Sequence, residues 1–509
     1  MDQTYLDTAH LLRRAGFGAD PATLRAAAQA GLSATTDALL HPERTPEMLD
    51  DDATLARLTA LLPETKNDGT PAQAVKMWWT HRMIVSPHPL LEKMTLFWHG
   101  HFTSKDGNMA GDILYRQNQM LRKNALGNFR SLTLAVARDP EMLRYLNGNQ
   151  NYKAHPNENF ARELMELYTC GIGNYTEDDV KAGARAFSGW NLRGGDFVFN
   201  ANQHDNDPKT FLGKTGNWNG DDIVDILVAQ PATARRLCTQ LFTYFAYPNP
   251  EPAVVDSLVQ TYFSSGYDIR AIMSLILHSQ AFYSDKARLA VIKSPAQYVV
   301  GTIRLLGMDK AVELILSDIT SANDMAANPA TLPLSATLPT AAIVTLPQAK
   351  GRRLGILASL PLAMRAMGQD LLAPPTVKGW DGGTNWINTS TLLARINFAD
   401  AISRSRQMFG NPFPSAAGFM QQHNLSPEGW VDYLAETLGP LPITQATRQT
   451  LIAYLESPDL PEASTQNVQF QPARRGLRGR LRGDGPGGLE GRLRGVIPLL
   501  MATPEYQVC

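Results

Sequence analysis

Apolar residues recur at helical spacing along most of this chain, and one stretch shows what that pattern must build. Between His155 and Trp190 the sequence HPNENFARELMELYTCGIGNYTEDDVKAGARAFSGW holds two amphipathic segments joined by a glycine turn. At 100° per residue, Phe160, Leu164, Leu167 and Tyr168 form one apolar face. Asn157 is an N-cap for the first segment, and Gly171 and Gly173 end it. Thr176, followed by Glu177, Asp178 and Asp179, opens the second with a capping-box pattern. Similar punctuation, with Pro87 and Pro89 bracketing one break, predicts helices over 46–61, 71–86, 88–98 and 351–368. GGDFVFNANQHDNDPKTFLG, in contrast, alternates briefly as a hairpin does. The expected fold class is mainly α: a large multi-helix domain with a short β-hairpin near 196–212 and low-complexity insertions.

With 509 residues, 44% of them hydrophobic, the chain can bury a large core. Its 47 basic and 48 acidic residues balance, which excludes the whole molecule as an electrostatic partner for nucleic acid or anionic membranes. Cys170, Cys238 and Cys509 lie far apart, and no CxxC or CxxCH occurs, so a disulfide framework, a zinc ribbon and c-type haem attachment are not expected. The opening MDQTYLDTAHLLRRAGFG has acidic residues where a signal peptide needs basic ones. No run approaches the ~20 apolar residues of a membrane span. The expectation is a cytoplasmic chain, as written, with no membrane span.

Composition suggests five regions. Residues 1–316 form an N-terminal helical region with the candidate polar site. Residues 317–348 are Ala/Pro/Thr-rich, an insertion or linker. Residues 349–472 are a C-terminal helical region expected to pack on the first. Residues 473–495, ARRGLRGRLRGDGPGGLEGRLRG, read as a disordered Arg/Gly-rich loop, and 496–509 close the chain. A loop with Trp380 and Trp386 among glycines suits a pocket wall or a stacking surface for carbohydrate, or plain packing against the core.

Three polar groupings carry chemistry. His99 and His101 flank Gly100; if the helix ends at that glycine, His101 can swing back beside His99 as a metal-ligand pair. The alternative is helix-end packing with hydrogen-bonded imidazoles. Glu163 falls at the edge of the apolar face, where a carboxylate needs a cation, a metal or a raised pKa. Glu166 shares its flank, and Arg162 is spaced to pair with Glu158. Glu163, Glu166 and Arg162 are the candidate catalytic residues. His204 beside Asp205 can bind metal, or serve as a base with its orienting partner, or be turn residues. His278, on an apolar face, reads as a core histidine.

LLRRAGFG, FWHGHF, PNENFARELMELYTCGIGNYTEDDV, SGW, HDNDPKTFLG, MGQDLLAPPTVKGWDGGTNWINTSTLLARINF and MATPEYQ occur in this order across nearly the whole chain. Together they resemble a bacterial family known as domain of unknown function 1800. Asp207 stands where the family's HDxGPK pattern has glycine, and the Arg/Gly tract is an addition of this chain. The resemblance implies one mostly helical fold, frequent export of members, and frequent encoding beside a sulfatase-like family; it implies no established reaction. It also marks the three groupings as the family's own motif positions.

If those groupings converge, His99, His101, Glu163, His204 and Asp205 make a ligand set for a divalent metal such as zinc, manganese or iron. The first functional expectation is therefore a metal-dependent enzyme, a hydrolase, acting on an unknown substrate. The second is a non-enzymatic helical assembly or binding protein whose polar motif is a structural network. A weaker third is a glycan or polyanion binder using the Trp/Gly loop and the Arg/Gly tract.

Overall fold

The computed structural model describes residues 2–62, 70–105, 111–309, 312, 355–404, 416–457 and 488–509. The Ala/Pro/Thr-rich region 317–348 and most of the Arg/Gly tract lie outside the described residues. The described ones are mainly helical, and their strands form two two-stranded antiparallel hairpins.

Two hydrophobic clusters organise the packing. One gathers Trp98, Phe102, Phe129, Phe160, Tyr168, Phe242 and Tyr262. The other draws Trp78 and Trp79 together with Tyr298, Trp430 and Tyr506 from the later part of the chain. The helix Ala72–Val85 is buried at every position from Ala74 to Ile84. A helix buried on all sides must be covered by several others; here they include Asp51–Leu61, Gly111–Asn124, Pro295–Leu305 and Gly355–Ala366. The helix Gly355–Ala366 thus packs directly on Ala72–Val85. A charged clasp ties the same elements together. Glu92, fully buried, accepts from Arg82 Nε at 2.7 Å and from Arg122 Nε at 2.7 Å and Nη2 at 3.0 Å.

Several elements depart from the sequence-based expectation. The helix expected from residue 46 begins at Asp51, because the Asp50 carboxylate caps it by accepting from Ala53 N at 2.9 Å. In place of one hairpin near 196–212 there are two. Trp190–Arg193 pairs with Asp196–Phe199 across Gly194–Gly195, both at positive φ, and Lys209–Phe211 pairs with Lys214–Gly216. Two consecutive positive-φ residues make the two-residue turn that suits strand twist. Within the Arg/Gly tract, residues from 489 onward form the first half of the helix Leu489–Met501. Buried Leu493 anchors it, and the Glu490 carboxylate accepts from Ala416 N and Ala417 N, both at 2.9 Å. His278, expected in the core, is exposed at the end of its helix, with Nδ1 bonded to the Ser274 carbonyl oxygen at 2.9 Å. Among the described residues no helix is long and apolar enough to cross a membrane.

A candidate acid–base site on a π-turn

The segment with the candidate carboxylates starts as the α-helix Asn159–Glu163 and continues, without a break, as the π-helix Leu164–Tyr168. A single π-turn inserts an extra residue into the helical count and recurs at functional sites. Its end is held locally: Thr169 Oγ1 donates to Leu164 O at 2.6 Å, and Gly171, at φ 80°, donates its N–H to Met165 O at 2.8 Å. Arg236 Nη2 takes the Leu167 carbonyl at 3.2 Å. The carbonyls left open by the π-turn are thereby satisfied.

Glu163 stands at the junction of the α- and π-segments, half-buried. Its carboxyl is pushed above the usual glutamate range, first by burial, then by the nearby charge of Glu166, with Arg162 opposing. Among the described residues it makes no hydrogen bond or ion pair. Tyr145 and Tyr168 lie close enough for its charge to push their phenols up, after the larger effect of burial. Glu166 accepts from Tyr175 OH at 2.9 Å. Arg162 is occupied elsewhere: its guanidinium bonds Glu158 at 3.0 Å and Glu177 at 2.7 Å, the second from the start of the next helix. It clamps the two helices of the His155–Trp190 stretch together.

The histidines sit in separate settings. The helix Pro89–His101 ends one residue past Gly100, so His99 and His101 are both still helical. Residues two apart on a helix point to nearly opposite sides, and the rings obey this. His99 Nε2 accepts from Leu372 N at 3.2 Å, its ring between Trp79 and Trp380. His101 Nε2 donates to Tyr168 O at 3.1 Å beside Phe97 and Phe102. Burial pushes His99 down to about 3 and His101 down to about 4, so both are neutral. His204 is buried and its Nδ1 donates to Ser188 O at 2.8 Å. The Asp205 carboxylate is bonded by Arg185 Nε at 2.7 Å, and its carbonyl by Lys209 Nζ at 2.6 Å. Among the described residues no three His, Cys, Asp or Glu side chains are placed to share a metal ion.

What does converge is three of the motif segments, and Thr103 is their meeting point. Its carbonyl accepts from Tyr168 OH at 3.3 Å, and its hydroxyl donates to the Val377 carbonyl. Two residues further on, Gly379 approaches so closely that an added Cβ would lie 2.9 Å from the Gly100 carbonyl oxygen. Next to Thr103, Ser104 Oγ donates to Gln117 Oε1 and Gln117 Nε2 to Asp139, each at 2.7 Å; burial pushes Asp139 up to about 6. Sequence reasoning counted Tyr168 only as apolar surface, and Thr103, Tyr145 and Tyr175 not at all. A Thr or Tyr in a mostly buried motif is a weak signal, since its polar atom can be satisfied by any backbone group.

Three motif segments, drawn from positions between Thr103 and Gly379, thus meet at the Tyr168 end of one helix, with Glu163, unpaired among the described residues, on its flank. The chain belongs to the family described as "Protein of unknown function (DUF1800)", whose model matches residues 10–508. No curated protein and no solved structure matches it.

Proposed function

We propose that this chain is a hydrolase in which Glu163 gives and takes the proton. One observation carries the reading: Glu163 is half-buried, free of any bond among the described residues, and raised by burial and by Glu166. A general acid or base works best when its pKa approaches the working pH, and raised carboxylates gather at active sites. Burial first, and the charge of Glu166 after it, keep Glu163 raised, and Glu166, tethered by Tyr175, is the positioning partner in this reading. Water, activated by Glu163, is the nucleophile; the substrate class is open. A divalent ion such as zinc, manganese or iron enters only as an added component. To ligate it through their bonded nitrogens, His101 and His204 would each give up a hydrogen bond, at a cost of about 1 kcal/mol apiece.

The test is turnover of a panel of chromogenic carboxyl esters, phosphate esters and glycosides by the purified chain and its Glu163→Gln variant, with circular dichroism to verify folding. Turnover that rises through an apparent pKa above 4.5 and is lost in the variant supports the proposal. No turnover anywhere on the panel, or unchanged turnover in the variant, overturns it.

A second reading has its own support. Arg162, His101, His204 and Asp205 are all bonded inside the fold, as expected of a non-enzymatic assembly or binding protein with a structural polar network. The same panel separates the two readings.

A further inference from the structure

Away from Glu163, in the part of the molecule built on the second hydrophobic cluster, a cavity of about 310 Å³ opens between the helices Pro21–Ala30, Pro427–Thr437 and Leu489–Met501. Leu305, Leu434, Ile497 and the ring of Trp430 supply its apolar interior. Trp430 and Tyr433 lie nearly parallel, with centroids 5.8 Å apart and an interplanar angle of 23°. The indole N–H is already taken by Leu493 O at 3.0 Å, so the ring turns no unsatisfied donor toward a ligand.

Charge is confined to three lining residues. Asp20 spends its carboxylate on the backbone N–H groups of Ala22 and Thr23, at 2.9 and 3.2 Å. The other two are guanidiniums. Arg25 is over half exposed and reaches Glu436 at 2.8 Å, and Arg494 pairs with Glu490 at 2.6 Å. The Arg25 side chain is 54% exposed and that of Glu436 27%, and Glu436 takes only one of the guanidinium nitrogens, so the others can meet an incoming anion. The lining therefore combines an aromatic and aliphatic interior with a rim of one acid and two guanidiniums, each guanidinium already paired with one carboxylate. Binding cavities for small molecules have this composition and are of this size or larger.

We propose that this cavity binds a small amphiphile: a short acyl chain or aromatic ring inside, and one anionic head group at the rim by Arg25. The inference is independent of Glu163 and stands or falls without it. Ala22, exposed and small, lies at the mouth and gives a means of closing it.

The experiment titrates the full chain with octanoate, octanol and acetate, followed by tryptophan fluorescence and isothermal calorimetry. Octanoate should saturate one site, octanol should bind about two- to fivefold more weakly, as loss of a partly exposed ion contact implies, and acetate should not bind. Arg25→Glu should weaken octanoate at least as much as that and leave octanol unchanged. Ala22→Trp should abolish both while circular dichroism and thermal midpoint stay at their wild-type values. Equal affinities for octanoate and octanol, octanoate binding unaffected by both variants, or no saturable octanoate binding at millimolar concentration would overturn the proposal.

Discussion

If Glu163 is kept as a carboxylate for chemistry, its presence should cost the fold stability, and Glu163→Gln should return it. In the folded chain its pKa is raised above the unfolded value, so the folded state holds the proton more tightly. The penalty is absent below the unfolded pKa and grows as pH rises from there through the folded pKa. Glutamine keeps the shape and removes the charge. Because the carboxylate makes no bond among the described residues, the amide forfeits none of those contacts. Half-exposure lets solvent screen much of the repulsion, so the gain at pH 7 is on the order of 0.5 kcal/mol. Thermal and urea unfolding of both proteins at pH 7 and pH 4 would read it. The variant should unfold later at pH 7, and the difference should shrink at pH 4, where the native glutamate is itself largely protonated. A variant less stable at pH 7, or a gain of the same size at both pH values, would refute the view that Glu163 is an uncompensated charge.

Three further outcomes follow from the same contacts. Glu92→Gln leaves the buried Arg122 without a carboxylate partner, while Arg82 keeps Asp51 and Glu47, and should cost on the order of 3 kcal/mol; a small shift in urea midpoint would show that the clasp is not what holds the surrounding helices. His99 is buried neutral, with its pKa depressed to about 3. It therefore supports the fold above the unfolded value near 6.5, and that support is lost as pH falls from there toward 3. His99→Phe should flatten the decline in thermal midpoint between pH 6.5 and 4, and an unchanged slope would count against this assignment. Thr103→Val keeps the side-chain shape but removes the donor to Val377, at a cost of about 1 kcal/mol; hydrogen exchange should quicken in 372–386 and not in the helix Pro231–Phe245.

Elements set by local chemistry were readable from the sequence. Thr176 and Asp179 form the expected reciprocal box, and Glu158 meets Arg162 as their spacing requires. Glu163 reaches the boundary of the core, as its place on the helical wheel predicts. What escaped reading was decided by distant residues. Gly100 carries a helix-stop signal, yet the helix runs one residue further, and Tyr168 and the backbone at Leu372 hold the two imidazoles on opposite sides of it. Leu489 onward reads as low complexity, but buried Leu493 and the bonds from Ala416 and Ala417 to Glu490 make it a helix. The π-turn has no local signature at all, since it depends on Thr169, Gly171 and Arg236 taking the carbonyls it leaves open.

The way the motif residues are used bears on what kind of site this family carries. His99, His101 and His204 each bond a backbone group of a different segment, so changing any one would disturb a junction in the fold before it touched a ligand. Arg162 and Asp205 likewise close helix–helix and helix–loop contacts. Thr103 joins the Tyr168 end of the π-turn to the loop before Trp380. Such a frame fixes the segments around Glu163 by side-chain bonds, and fixed placement of a group is what acid–base chemistry requires of its surroundings. Against that frame Glu163 is the exception: a motif carboxylate with no structural partner among the described residues. A half-buried carboxylate that contributes nothing to those junctions, and whose charge burial disfavours, is the motif residue that can be changed to glutamine with least disturbance of the frame.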